Sequence, residues 1–259
     1  IFIKESGAKV VQVPGEEGTF QIDMEKFEAA VNEKTKAVIV NSPNNPSGVV
    51  YSEETIVKMC DILRKKEKEY GHPIFLITDE PYRELVYDDI DVPYMINYYD
   101  NTFVCYSYSK ALSLPGERIG YIVVSNKMVD SKDAYAAVCG AGRVLGYVCA
   151  PSLFQKVIER CIDDTADISI YKTNRDLLYN SLTEMGFECV YPDGAFYLFV
   201  KAMEDDAKAF CEKAKEQELL LVPADSFGTP GYVRVSYCVQ TEQIERALPA
   251  FKKLADSYK

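Results

Sequence analysis

Lys110 is the residue on which chemistry can most readily be built. It closes the run Ser107-Tyr108-Ser109-Lys110, directly after Thr102 to Tyr106, a β-branched and aromatic stretch that reads as a strand. The turn signal Pro115-Gly116 and then Arg118 follow, before a second apolar strand through Ile119 to Val124. An amine at a strand end, among small hydroxyls, can form an imine with a carbonyl-bearing cofactor while neighbouring donors hold an anion. Two other apolar runs end in comparable residue types. The first, 37–40, empties into Asn41-Ser42-Pro43-Asn44-Asn45-Pro46-Ser47-Gly48, and the second, 74–78, into Asp79-Glu80-Pro81-Tyr82. Successive strand ends therefore deliver an amide (Asn45), a carboxylate with a phenol (Asp79 and Tyr82) and an amine (Lys110). A further candidate, Arg234, lies in the apolar run Tyr232-Val233-Arg234-Val235-Ser236, where an unpaired charge would be costly. Each type also has an ordinary role: lysine or arginine on the surface, serine as a cap, asparagine in a turn.

The elements that must position these residues follow from periodicity and caps. The runs 37–40, 74–78 and 103–106 predict buried parallel strands, whereas the short connection before 120–124 predicts an antiparallel one. Asp23 is placed to cap a helix over 24–31, and Ser52 opens a long helix to about Tyr70, whose basic run at 64–68 reads as a solvated face. A helix is expected over 127–139, and a short strand over 10–13 before the turn Pro14-Gly15. The expectation for 1–150 is an α/β domain, a mainly parallel sheet sandwiched by helices and covered on both faces, with ligands beyond the carboxyl ends of the strands. After Pro151 the pattern changes. Helix between 153 and 185, strands at 188–191 and 196–200 around the turn Pro192-Asp193-Gly194, a helix at 205–217, strands at 220–222 and 232–236 and a last helix at 242–255 predict a smaller α+β domain, 151–259.

Composition narrows the function. The chain has 259 residues and a formal net charge of −11, which argues against nucleic acid or an anionic membrane as partner. A single histidine, His72, makes a histidine-based triad or a multi-histidine metal site a poor reading, and no metal is expected. The eight cysteines form no C-x-x-C pair and are expected to be reduced, mostly core residues of a cytoplasmic protein. No apolar run reaches membrane-spanning length. The sequence starts at Ile1 without methionine, with a strand-like stretch almost at once, and reads as lacking an upstream segment.

Taken in order, these motifs resemble those of the fold-type I pyridoxal-phosphate enzymes, specifically the aspartate-aminotransferase-like class I/II aminotransferases. Asn45-Pro46-Ser47-Gly48 is similar to the family's Asn-Pro-Thr-Gly loop, with serine for the commoner threonine. Asp79-Glu80-Pro81-Tyr82 resembles its Asp-x-x-Tyr, and Ser107-Tyr108-Ser109-Lys110 with Arg118 its Ser-x-Ser-Lys…Arg. Arg234 lies in a counterpart of the carboxylate-binding arginine motif, and Gly194-Ala195-Phe196-Tyr197 resembles the family's small-domain strand. The resemblance implies a Lys110 aldimine with pyridoxal 5′-phosphate and Lys110 as the base that moves the proton between Cα and C4′. It further implies Asp79 on the pyridine nitrogen, Tyr82 and Asn45 on the phenolate oxygen, Ser107, Ser109 and Arg118 on the phosphate, and Arg234, with Asn45, on the substrate carboxylate. The implied reaction moves an amino group from an amino acid to a 2-oxo acid, in a homodimer. A C–S β-lyase or a decarboxylase on the same scaffold would share these residues, and a catalytically silent relative need not keep the amine. The family's N-terminal part, which supplies a further phosphate turn, a ring stacked on the cofactor and residues reaching the partner's site, has no counterpart in this sequence.

Overall fold

Polar caps set where the helices begin. The computed structural model describes residues 2–259. Its first part runs α1 (Phe2–Glu5), α2 (Met24–Ala30), β1 (Ala37–Asn41), α3 (Glu53–Tyr70), β2 (Phe75–Asp79), β3 (Thr102–Ser107), α4 (Tyr108–Ala111), β4 (Gly120–Val124) and α5 (Ser131–Val144). The second part runs α6 (Ser152–Arg160), α7 (Ser169–Glu184), β5 (Cys189–Val190), β6 (Tyr197–Lys201), α8 (Ala207–Glu216), β7 (Val222–Pro223), β8 (Tyr232–Ser236) and α9 (Thr241–Asp256). Asp23 accepts the Lys26 N–H, Ser52 accepts the Thr55 N–H, and Gly71, at φ 70°, ends α3, so the first orphan donors and last carbonyls of these helices are answered.

The first sheet has the order β1-β2-β3-β4. Pairing is parallel from β1 to β3 and antiparallel between β3 and β4, as the connection lengths predict. One consequence matters for function: the carboxyl ends of β1, β2 and β3 and the start of β4 lie along one edge. Asn41 pairs with Asp79, Asp79 with Cys105, and Ser107 with Gly120. The inner face of this sheet packs Val40 and Leu76 on Ile56, Met59 and Leu63 of α3 and Phe27 of α2. Burying each such side chain stabilises by about 1.5–3 kcal/mol. On the opposite face, which carries Asn41 and Asp79, Ile39 and Ile122 remain 50% exposed, so among the described residues the helix cover is heavier on one side.

The second sheet is antiparallel, β5-β6-β8-β7. One core cluster is local to the first sheet, but the largest crosses between the two: Tyr82, Leu85 and Ala111 pack with Leu182, Phe196 and Tyr237, and a small one sets Val49 against Val190 and Phe199. A main-chain seam reinforces this junction. Gly194 N–H donates to the Gly48 carbonyl (2.9 Å), Ala195 N–H to Leu85 (2.8 Å) and Tyr87 N–H to Asp193 (3.0 Å), while the Asp193 carboxylate accepts the Val50 N–H (3.0 Å). A Cβ on Gly48 would lie 2.5 Å from Pro192 Cβ, and one on Gly194 2.6 Å from the Leu85 carbonyl oxygen, so glycine at both positions is a condition of the seam.

Three local expectations are corrected. Residues 10–13 form no strand; the nearest pairing is an isolated bridge between Gly15 and Ile22. A lone extended segment without a partner cannot complete its hydrogen bonds, whatever its propensity. The cysteines are all free, yet only Cys60 and Cys211 are buried, and Cys149 and Cys238 are exposed. The helix after β4 also begins later than expected, at Ser131, because Asp130 turns the chain with φ 53°.

Candidate active site

The loop after β1 is held against the end of β2 by one amide. Asn41 donates through Nδ2 to the Asp79 carbonyl (2.8 Å) and carboxylate (3.3 Å), and its Oδ1 accepts the Asn45 N–H (2.7 Å). Within the loop, Asn44 Oδ1 accepts both the N–H and the hydroxyl of Ser47, and Gly48 N–H returns to the Asn44 carbonyl. These bonds explain why a stretch of turn residues has one defined shape.

Asn45 in turn meets the second sheet. Arg234 Nη1, from β8, donates to Asn45 Oδ1 at 2.9 Å. The guanidinium lies over the Tyr197 ring (4.5 Å to the centroid) and near that of Phe227 (5.2 Å). Arg234 Nε is buried with no hydrogen-bond partner, and among the described residues no carboxylate pairs with this cation. A half-buried arginine whose buried Nε donor is unused is set up to receive an anion.

Lys110, in α4, projects its amine between two rings, 5.2 Å from the Phe196 centroid and 5.8 Å from that of Tyr82. The Tyr82 hydroxyl lies 3.1 Å from that of Tyr197. Asn45, Asp79, Tyr82, Lys110 and Arg234 are thus linked through direct contacts or through Asn41, Tyr197 and Phe196.

The hydroxyl cluster is less complete. Ser107 caps α4 and bonds Ser109 through both side chains (2.7 Å), and Ser109 N–H donates to Ser107 Oγ (3.1 Å). Gly120 sits opposite Ser107, and a Cβ there would come 2.3 Å from the Tyr106 carbonyl oxygen. That close pairing brings Arg118, two residues earlier, to the same edge. Its Nη1 nevertheless donates to the Pro115 carbonyl (2.9 Å) on the exposed side, with φ 54°, and no hydrogen bond joins it to either serine.

Two neighbouring carboxylates differ sharply. Glu80 is buried and satisfied by the Arg83 guanidinium (2.6 Å) and the Thr78 hydroxyl (2.8 Å). Asp79 has no cationic partner among the described residues; the surrounding protein, and then the Glu80 charge, push its carboxyl above the usual range. The Tyr82 phenol is pushed up mainly by burial and then by its bond to Tyr197, so it is a neutral donor at any ordinary pH.

The sequence profile of the family described as "Aminotransferase class I and II" matches residues 2–251. The chain belongs to that family. A solved amino transferase from Eubacterium rectale is 61% identical, with a TM-score of 0.97 over 100% of this chain and 65% of its own. The aspartate aminotransferase of Thermotoga maritima is 33% identical over 92% of this chain and 61% of its own length. A solved aspartate aminotransferase from Thermotoga maritima is 30% identical, with a TM-score of 0.84 over 98% of this chain and 66% of that one. An aromatic-amino-acid aminotransferase of Thermococcus litoralis is 29% identical over 96% of this chain and 65% of that one. The chain thus spans a little under two thirds of the length of these relatives.

Family membership fits the order of motifs along the chain, but two residues at the centre of the contact network had no assigned role in the sequence. Asn41 reads as the first residue of a turn-rich loop. Tyr197 reads as one aromatic in a small-domain strand. Their signal was available only as a polar atom at the end of an otherwise apolar run.

Proposed function

We propose that this chain carries the reacting groups of a pyridoxal-phosphate-dependent aminotransferase, which moves an amino group from an amino acid to a 2-oxo acid. The observation that carries the reading is the Arg234–Asn45 contact: it brings a cation with an unused donor into the same site as the Lys110 amine. The donor set fits the cofactor. Lys110 would take its carbonyl carbon, Asp79 its ring nitrogen, Tyr82 and Asn45 its phenolic oxygen, and Ser107, Ser109 and Arg118 its phosphate. When bound, pyridoxal phosphate supplies a protonated ring that accepts the electron pair left at the substrate Cα. A ring cation beside Asp79 would offset the upward push on its carboxyl, and the carboxylate in return would favour the protonated ring nitrogen. Arg234 holds the α-carboxylate through paired N–H donors, fixing the orientation of the Cα–H bond. Once the substrate's amine has displaced it from the cofactor's carbonyl carbon, the free Lys110 amine would take the proton from Cα.

Several parts of this reading concern the assembly. We place the cofactor-binding unit at 1–150 and a smaller unit at 151–259, each with one of the two sheets. A homodimer accords with the exposed apolar residues Val144, at the end of α5, and Leu145, Tyr147 and Val148 beyond it. Cytoplasmic residence accords with eight free cysteines; among the described residues no helix is long and apolar enough to cross a membrane.

The deciding experiment adds pyridoxal phosphate, records the visible spectrum, reduces with borohydride and maps the modified peptide. The expected result is one pyridoxyl group on Lys110. An adduct scattered over surface lysines, or none, overturns the reading for this chain.

A further inference from the structure

Tyr197 is 7% exposed, and its hydroxyl has one partner, the hydroxyl of Tyr82, itself on a residue 4% exposed. A phenylalanine would fill the same space without burying a polar atom. Two hydroxyls facing each other hold two protons, and one bond between them uses only one. Whichever tyrosine accepts must therefore send its own proton elsewhere, and neither hydroxyl has another acceptor among the described residues. The ring of the same residue lies under the Arg234 guanidinium at 4.5 Å. One side chain thus touches both the phenol beside Lys110 and the arginine of β8.

We propose that Tyr197 is a positioning residue, which donates its proton to the Tyr82 oxygen so that Tyr82 donates outward to the ligand, while its ring sets the plane of Arg234. The inference rests on the reading of Tyr82 as a donor to the cofactor's phenolic oxygen and of Arg234 as the carboxylate holder. A hydroxyl that accepts one hydrogen bond becomes a better donor in the next, so the relay strengthens the outward bond. A guanidinium stacked on an aromatic face keeps its in-plane N–H donors aimed at the carboxylate. Tyr197 starts β6 directly after the seam at Gly194, so its position is inherited from main-chain bonds, not from a flexible loop.

Two substitutions separate the two contacts. Tyr197→Phe keeps the ring and removes the proton; Tyr197→Leu removes both. On the unloaded chain, a cycle of Tyr82→Phe, Tyr197→Phe and the double variant reads the hydroxyl pair through the unfolding equilibrium. Each single change should shift it about fivefold, and the double change no further than either alone. On the chain loaded with pyridoxal phosphate, Tyr197→Phe should raise the pH midpoint of the visible absorbance by about half a unit, because the phenolic oxygen loses part of its hydrogen bond. It should leave the KM for a 2-oxo acid within about twofold, whereas Tyr197→Leu should raise that KM about tenfold through the lost stack. An unmoved midpoint in Tyr197→Phe reduces the residue to a packing role and overturns the proposal, as does an unchanged KM in Tyr197→Leu. A wild-type chain that shows no visible band overturns the functional reading and the cofactor half of this inference together; the cycle then still decides the hydroxyl pair.

Discussion

Arg234 Nη1 and Asn45 Oδ1, 189 residues apart in the chain, meet at 2.9 Å, and that bond joins the edge strand loop of one sheet to the middle of the other. It places a cation from the second sheet above residues that the first sheet delivers at its carboxyl edge. Everything proposed about substrate binding depends on it.

Arg234→Lys tests the geometry of that cation. Lysine keeps the charge but offers no planar pair of donors. The KM for both amino acid and 2-oxo acid should rise about 10- to 100-fold, from the loss of about 1.5–3 kcal/mol of charged hydrogen bonding. Steady-state kinetics on the two substrates checks it, and an unchanged KM would remove Arg234 from the site.

Lys110→Ala should abolish the borohydride-trapped adduct while leaving the far-ultraviolet circular dichroism unchanged. Its amine makes only ring contacts, at 5.2 and 5.8 Å, which are worth about 0.5–1 kcal/mol each at partly exposed positions. The melting temperature should therefore fall by a few degrees at most.

Asp79→Asn separates binding from turnover and has a pH signature. Since the folded carboxyl is raised, the folded state holds its proton more tightly than the unfolded one, and stability falls as pH rises from the ordinary aspartate range through the raised value. The unloaded variant should melt higher than wild type at pH 7, and that gap should close as pH drops through the raised value toward the ordinary range. With cofactor present, the variant should keep the visible band but lose transamination. Melting curves across this range, with and without pyridoxal phosphate, check both halves.

Gly48→Ala strikes the seam without touching a reacting group. The new Cβ would meet Pro192 at 2.5 Å and the Tyr197 carbonyl oxygen at 2.9 Å, at φ 74°. Stability should fall by about 1–3 kcal/mol in urea denaturation. If the two sheets separate to make room, the KM for the 2-oxo acid rises as well.

The sequence made the strand ends legible because apolar runs stopped abruptly at Asn41, Asp79 and Ser107, and the parallel order put those stops on one edge. Arg234 was legible for the opposite reason, as a charge inside an apolar strand. Asn41 and Tyr197 were not, because their roles depend on which atoms they meet; the Tyr82–Tyr197 contact spans 115 residues. The strand expected at 10–13 failed because extended propensity says nothing about whether a partner edge is available. The seam at 193–195 was invisible for the same reason: all but one of its bonds are main-chain to main-chain, and its glycines read only as a turn.

That seam bears on how freely the chain can vary. Asp193 accepts two N–H groups, Gly194 has no room for a Cβ, and Ala195 is fully buried at φ 57° with both its N–H and its carbonyl engaged. None of these residues touches a reacting atom. A library randomised there for new substrates would lose most members to misfolding before selection for chemistry began. Exposed Leu220, at 82%, would accept nearly anything. The least replaceable stretch of the protein lies beside its chemistry, not in it.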